Sequence, residues 1–498
     1  MAQLIVSISG IRGIIGDGLG PREAVRFGLA LGTHLAGDVA QPPSAVGGSQ
    51  PGAAGPPPAA GPRSPQVVLG RDSRPSGPML AAALQAGLLA AGCRVVDVAV
   101  LSTPGISLMV RHLAAAGGVI ITASHNPPPY NGIKMLSPSG MALSRQAGQA
   151  VADLYAREAF AEVSSDRMSA VESRDDGAAV HVERVAALVN ADAIRGLCLA
   201  VAVDAVNGAG GREMSMLLGR LGCRMTMING DPTGRFGRGA EPVPENLGDL
   251  GRAVRDSHAA VGLALDPDAD RLALVDETGR AIGEEYTLAL AARHRLTQQA
   301  GPLAANLSTS RMMDDVAAEA GVTLHRTPVG ELNVAEAIIA NGCVIGGEGN
   351  GGVIDPRVAP VRNSLAAAAL ILDMLAARRM TLSELAAELP AYAMVKDKAP
   401  LMWHSRPGCV ASGPSAQPRA AVPHTPAAVF AAVRNHFRGA DARVDERDGL
   451  YLAFDDGWLH VRASNTEPIL RVMAEAADDA KARGWVAAVK AIAADRIM

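Results

Sequence analysis

Short, continuous apolar runs recur along the chain, and each breaks into a turn rich in Gly or Asp: VVLGRDSR from Val67, VIITASHN from Val119, LAVAVDAVNGAGG from Leu199, VGLALDPDADR from Val261 and CVIGGEGNGG from Cys343. Runs of this length without polar alternation fit strands buried on both faces. Longer segments of helical composition alternate with them, such as SGPMLAAALQAGLLAAG from Ser76 and SRMMDDVAAEAG after Thr309. The order strand, loop, helix predicts layered α/β domains, whose chemistry sits on loops at the carboxyl ends of strands. The last hundred or so residues read differently: LYLAFDD, WLHVRAS and ILRVMAEA form adjacent strands before an Ala-rich helix from Asp478. That pattern predicts a separate α+β domain.

Length and composition sharpen this picture. At roughly 150 residues per domain, 498 residues allow two to four domains, and 48% hydrophobic residues suffice for several cores. Residues 41–65, QPPSAVGGSQPGAAGPPPAAGPRSP, and residues 406–426 are dominated by Pro, Gly, Ala and Ser, so both are expected to be flexible surface insertions without catalytic residues.

Lys plus Arg number 46 against 50 Asp plus Glu, a net charge of −4, and no basic tract stands out, which argues against nucleic acid as a partner. Five scattered cysteines without CxxC or zinc spacing point to a reducing compartment, with neither disulfides nor structural zinc. The N-terminus MAQLIVSISGIRG lacks the features of a signal peptide, and the run Leu365 to Leu375 is cut by Asp373, short of the about 20 apolar residues a span needs. A cytoplasmic protein without membrane attachment is expected.

Five loops carry candidate chemistry. In DPDADR, Asp266, Asp268 and Asp270 alternate between two strand-like segments, and hard oxygen ligands in a tight loop suit Mg²⁺. An acidic surface turn is the bland alternative. An EF-hand is disfavoured because Arg271 stands where that loop needs Gly and the flanks are not helical. A haloacid-dehalogenase-type phosphatase, with Asp266 as nucleophile, stays open unless another nucleophile exists.

TASHNPPPYNGIK, from Thr122 to Lys134, offers one: Ser124 follows a strand, with His125 beside it and Lys134 downstream, parts suited to phosphoryl transfer or simply a turn. GGEGNGG contains a formal GxGxxG, yet Pro356 and Pro360 follow where a dinucleotide fingerprint opens a helix, so Glu348 and Asn350 on a bare loop suit sugar hydroxyls instead. RASNTEP, from Arg462 to Pro468, is a phosphate cradle or a polar turn. SGIRG and GRDSR place Arg12, Arg71 and Arg74 as anion contacts or surface arginines.

Taken in this order, TASHNP with its downstream NGxK, DPDADR, the glycine loop with its Glu and RxSNTEP resemble the α-D-phosphohexomutase family of phosphoglucomutases, phosphomannomutases and phosphoglucosamine mutases, over about residues 4 to 475. The resemblance implies four domains around a central cleft, three α/β with mixed sheets and a C-terminal α+β domain. Their expected extents are 1–158 with the serine loop, 159–280 with the metal loop, 281–390 with the sugar loop and 391–498 with the phosphate loop.

It further implies that Ser124 is carried as a phosphoserine, which removes the nucleophile role from Asp266. A hexose 6-phosphate and 1-phosphate would interconvert through a 1,6-bisphosphorylated sugar, which also serves as primer. Mg²⁺ would lie on Asp266, Asp268, Asp270 and a phosphoserine oxygen. Arg12, His125 and Lys134 would act at the transferring group, and Lys134, among five lysines in the chain, is the acid/base candidate.

By the same resemblance Arg462, Ser464, Asn465 and Thr466 would grip the non-reacting phosphate, Glu348 and Asn350 the sugar, and Arg271, Thr327 and Gly330 would complete substrate binding. Two departures bear on the sugar. Gly352 stands where a His often follows the Glu, and Glu331 and Leu332 replace a cationic position, where a carboxylate suits an ammonium. With Asn350 in the loop, glucosamine phosphate is expected ahead of glucose or mannose phosphate. The alternative from another class is a sugar-phosphate binding protein without catalysis.

Overall fold

The computed structural model describes residues 4–39, 64–400, 426–464 and 469–495, so residues 41–63 and 406–425 of the two expected insertions, and Asn465 and Thr466, lie outside the described residues. Four sheets organise the described residues. In the first, Gln66–Arg71 runs parallel between Arg94–Val100 and Gly117–Ile121, and Tyr130–Leu136 returns antiparallel beside Gly117–Ile121. The second repeats the plan: Ala200–Asp204 lies between parallel Arg224–Ile228 and Val261–Leu265, and Leu272–Val275 returns. So does the third, with Leu303–Asn306 between Leu324–Thr327 and Ile345–Glu348, and Gly352–Ile354 returning.

The shared order places three loops at one topological position, the turn after the carboxyl end of the third parallel strand. These are the serine loop after Ile121, the metal loop after Leu265 and the sugar loop after Glu348. Gly117–Ile121 and Val261–Leu265 are the continuous buried runs their sequence predicts, whereas Ile345–Glu348 ends in two glycines and Glu348. The fourth sheet is antiparallel throughout, in the order Ala393–Pro400, Ile469–Ala476, Gly457–Ala463, Leu450–Phe454 and Arg443–Asp445, backed by the helix Asp479–Asp495.

The first sheet is extended at both ends. Gly10–Ile15 pairs with Tyr130–Leu136, with Gly10 opposite Lys134 and Arg12 opposite Gly132. Val171–Ser173 pairs with Arg94–Val100 and covers that edge, so the chain still belongs to the first sheet beyond residue 158. The helices Pro21–Val39 and Gly77–Ala90 approach backbone to backbone: a Cβ at Gly87 would lie 2.2 Å from the Val25 carbonyl oxygen, and one at Gly28 would lie 2.6 Å from that of Leu84.

The apolar run around Leu365 is the helix Ser364–Arg378, buried from Ser364 to Ala376, which explains why it shows no amphipathic period. Asp373 within it accepts from His294 Nε2 (2.8 Å), Gln298 Nε2 (3.0 Å) and the Asn190 N–H (3.1 Å), so its charge is satisfied rather than solvated. Among the described residues no helix is long and apolar enough to cross a membrane.

Candidate active site

Ser124 follows the buried strand Gly117–Ile121 with φ of 49°, a left-handed conformation that a non-glycine residue holds only when its surroundings impose it. Arg74 imposes it. Fully buried, Arg74 donates from Nη2 to the carbonyls of Ser124 (2.7 Å) and Asn126 (2.6 Å), and from Nη1 to those of Pro127 (2.9 Å) and Tyr130 (3.0 Å). Its Nε donates to Asp72 (3.1 Å), which also accepts from the Thr122 hydroxyl (2.7 Å), and that hydroxyl accepts from the Ser124 N–H (2.9 Å). Burial pushes the Asp72 carboxyl up, and Arg74 opposes the shift. Arg74 is thus neither an anion contact nor a surface residue; it is the template of the serine loop. The Asp-x-Arg after a strand was its only sequence signal.

Ser124 Oγ lies 3.4 Å from His125 Nδ1, and Arg271 Nη2 lies 3.2 Å from the same nitrogen. A guanidinium only donates, so His125 Nδ1 accepts and its proton sits on Nε2. Burial, then the Arg271 charge, pulls the His125 pKa down to about 4, which keeps the ring neutral at ordinary pH. Arg12 donates to Asn126 Oδ1 on the same loop (3.4 Å).

The metal loop is the tight turn between Val261–Leu265 and its antiparallel partner, with no flanking helices of the EF-hand kind. Asp266, Asp268 and Asp270 are all buried, and each uses one oxygen on the protein. Asp266 Oδ1 accepts from the N–H groups of Asp270 (3.1 Å) and Arg271 (3.2 Å). Asp268 Oδ2 accepts from Thr103 Oγ1 (2.9 Å) and Lys134 Nζ (3.3 Å), and Asp270 Oδ2 from Arg362 Nη2 (2.5 Å).

The other oxygen of each, Asp266 Oδ2, Asp268 Oδ1 and Asp270 Oδ1, is buried without a hydrogen-bond partner. The three carboxylates offer ligand atoms within 4.8 Å of one another. Three converging, unsatisfied hard oxygens are costly without a cation and fit a divalent one such as Mg²⁺. The carboxyls differ accordingly. Burial and the two neighbouring carboxylates push Asp266 well up, whereas at Asp268 burial is outweighed by Lys134 and Thr103, which hold it below the usual range.

In the sugar loop, Glu348 Oε1 accepts from Asn306 Nδ2 (2.7 Å) and the Gly330 N–H (3.0 Å), and Oε2 from Arg362 Nη1 (2.9 Å). Asn350 Oδ1 accepts from the Gly352 N–H (3.2 Å). The glycines close an antiparallel hairpin and open no helix, so a pyrophosphate-binding helix N-terminus is not formed. Gly349 lets the Glu285 carboxylate pack against it: a Cβ there would lie 1.8 Å from Glu285 Oε2 and displace that side chain. Glu331 accepts from the Arg362 N–H (2.9 Å) and lies 3.5 Å from its Nη2. Arg362, which joins these groups, carries no motif and was missed in the sequence.

The structure brings His125, Arg271, Gly330, Glu348, Asn350, Arg462 and Ser464 to the wall of one cleft of about 830 Å³. Ser124 and the aspartates adjoin it through His125 and Arg362. Thr327 is not on that wall; it is buried, and its hydroxyl donates to the Pro328 carbonyl (2.9 Å). Arg462 Nε donates to Asp448 (3.0 Å), whose same oxygen accepts from the Val329 N–H (2.9 Å), tying the fourth sheet to the Thr327–Gly330 turn.

A second tie is Lys396, which donates to Glu284 (2.9 Å) and Glu285 (3.1 Å). Burial raises the Glu285 pKa from 4.5 to about 7, with Lys396 opposing. Between those values the folded state binds more protons than the unfolded one, so this contribution to stability is full below pH 4.5 and is lost as pH rises through 7. Compared with Glu285→Gln, the wild-type protein is expected to lose up to about 3 kcal/mol between pH 4.5 and 8, read as a widening gap in melting temperature. Parallel pH profiles for the two proteins would refute it.

Comparison with known proteins agrees with this geometry. Models of the phosphoglucomutase/phosphomannomutase domains match in order: alpha/beta/alpha domain I at residues 58–162, domain II at 179–279, domain III at 283–392 and the C-terminal domain at 420–492. A phosphoglucomutase/phosphomannomutase of Thermococcus kodakarensis is 36% identical over 479 residues, 96% of this chain and 95% of that one. A chain of Methanopyrus kandleri named probable phosphoglucosamine mutase is 36% identical over 478 residues, 95% of this chain and 94% of the other. The solved structure of a phosphoglucomutase/phosphomannomutase family protein from Burkholderia thailandensis superposes with a TM-score of 0.76 at 26% identity, covering 97% of each chain. With four domains in order and relatives spanning nearly its whole length, the chain belongs to the phosphoglucomutase/phosphomannomutase family of phosphohexomutases.

Proposed function

We propose that this phosphohexomutase interconverts glucosamine 6-phosphate and glucosamine 1-phosphate, with Ser124 as the phosphorylated group and the 1,6-bisphosphorylated sugar as intermediate and primer. The observation that carries the phosphoryl-transfer reading is the set of three buried, unpartnered carboxylate oxygens on Asp266, Asp268 and Asp270, tied through Asp268 to Lys134. Held by these residues and a phosphoserine oxygen, Mg²⁺ would supply neutralisation of charge on the transferring group.

The chain's own residues do the rest. Arg74 and Thr122 hold Ser124 in its strained conformation, and neutral His125 accepts hydrogen bonds beside it. The phosphoester bond at Ser124 Oγ breaks as the bond to the sugar oxygen forms; that sugar hydroxyl loses its proton, the serine oxygen gains one, and Lys134 exchanges protons in the step. Arg12 adds positive charge at the serine loop. Arg462, Ser464, Asn465 and Thr466 grip the distal phosphate, while Glu348, Asn350, Arg271 and Gly330 hold the sugar. The intermediate turns over within the cleft, so each phosphate is served in turn.

Support for an amino sugar comes from Asn350 and Glu331, both on the cleft wall, the Glu331 Oε2 lying 3.5 Å from Arg362 Nη2. The Thermococcus relative's name favours glucose or mannose phosphate as the second reading. Phosphorus NMR with Mg²⁺, bisphosphate primer and separate glucosamine, glucose and mannose phosphates decides between them. Preferential conversion of glucosamine phosphate is expected, and equal or faster conversion of glucose 1-phosphate would overturn it. Chelation by EDTA is expected to lower turnover at least about 100-fold, with recovery on adding Mg²⁺.

A further inference from the structure

Arg362 stands where the metal loop and the sugar loop meet, and both claim its charge. Nη2 lies 2.5 Å from Asp270 Oδ2 and 3.5 Å from Glu331 Oε2, while Nη1 lies 2.9 Å from Glu348 Oε2. The guanidinium is buried, and its Nε has no hydrogen-bond partner, so the head is not locked into one complete set of contacts.

Its stem and backbone are held. A Cβ at Gly352 would lie 2.3 Å from Arg362 Cδ, so the chain is clamped against the glycine hairpin. Two residues on, Ser364 Oγ donates to the Ala269 carbonyl (2.7 Å), anchoring the backbone to the metal loop itself. A fixed stem with a head shared among three carboxylates can change partners without moving a domain.

We propose that Arg362 is a positioning residue that couples cation binding at the aspartate loop to sugar-phosphate binding at the Glu348 loop, an inference that rests on the proposed metal and sugar roles of those loops. Its positive charge, 2.5 Å from Asp270 Oδ2, opposes an incoming cation. A cation on the three aspartates would repel the guanidinium from Asp270 and strengthen its hold on Glu348, which Nη1 already meets at 2.9 Å, and on Glu331 beside it. By linkage the effect is reciprocal: sugar phosphate that favours the Glu348 arrangement tightens the cation, and the cation tightens the sugar phosphate by the same factor.

The test uses Mn²⁺ as a spectroscopic probe, its affinity read by electron paramagnetic resonance on the full-length protein. Calorimetry with glucosamine 6-phosphate, with and without Mn²⁺, in a Ser124→Ala background prevents turnover. Arg362→Met is expected to bind Mn²⁺ about tenfold tighter and to lose the mutual enhancement between Mn²⁺ and sugar phosphate. Arg362→Lys keeps the charge but not the fork, so its Mn²⁺ affinity stays near wild type while the enhancement is reduced.

A residue that merely supports the fold would leave Mn²⁺ binding unchanged or weaker in Arg362→Met, and that result overturns the inference. Should this variant not fold, Glu331→Gln decides. Removing a rival carboxylate leaves the guanidinium more firmly on Asp270, so Mn²⁺ binding is expected to weaken severalfold; unchanged or tighter binding overturns the inference. Absence of Mn²⁺ binding in the wild-type protein, or of sugar-phosphate binding in the Ser124→Ala protein with Arg362 intact, would instead overturn the roles assigned to the loops.

Discussion

Ser124→Ala is expected to abolish mutase turnover, by at least about 10⁴-fold, and to leave the purified protein without the phosphate that the proposed mechanism places on the serine. The size of the effect follows from the role: if the phosphoryl group rests on Ser124 Oγ between half-reactions, no neighbour can take it. His125 Nδ1, 3.4 Å from Ser124 Oγ, already faces the Arg271 guanidinium at 3.2 Å. The fold should survive, because Ser124 is held through its N–H and carbonyl by Thr122 and Arg74, groups that alanine retains. Intact-protein mass spectrometry, an unchanged melting temperature and a coupled assay together check the prediction. Turnover within tenfold of wild type would remove Ser124 from the mechanism and return Asp266 to consideration as nucleophile.

Arg74→Leu is expected to be the most damaging single change to the site that touches no proposed substrate or metal contact. Five donor contacts would vanish at once, leaving the carbonyls of Ser124, Asn126, Pro127 and Tyr130 without this partner and the buried Asp72 without its counter-charge. Breaking a buried ion pair by removing one member costs about 3–5 kcal/mol, and the orphaned carbonyls add to it. A depressed melting temperature together with loss of serine phosphorylation is the expected pair of results. Arg74→Lys should rescue little, since a compact ammonium cannot reach carbonyls along a fork. A melting temperature equal to that of wild type would show that the serine loop holds its shape without this template.

Much of the candidate site was legible because its candidate chemistry is concentrated in short loops. Asp266, Asp268 and Asp270 announce oxygen ligands by type and spacing, and Ser124, Lys134, Glu348 and Arg462 each sit in a recognisable run. Arg74 and Arg362 were not legible as what they are. An arginine in GRDSR or in PVRNS reads the same whether it faces solvent or lies buried, and only its partners decide. Thr327 shows the reverse: it lies in a segment read as substrate-binding, yet its hydroxyl is spent on Pro328.

The sequence by itself determined the strands and the cargo of the loops between them, because a strand covered on both faces demands an unbroken apolar run and catalytic loops demand particular side chains at short spacing. It also carried the order of those loops, and with it the family. Only the tertiary structure decided that the serine, metal and sugar loops occupy one position in three copies of the same sheet plan, and so converge. It alone decided which carboxylate oxygens are left open, since the partners that occupy the others come from far along the chain: Lys134 reaches Asp268 across 134 residues, and Arg362 reaches Asp270 across 92. Residue type sets what a group can donate or accept, but whether it is already satisfied depends on distances of a few ångströms between segments that no local pattern encodes.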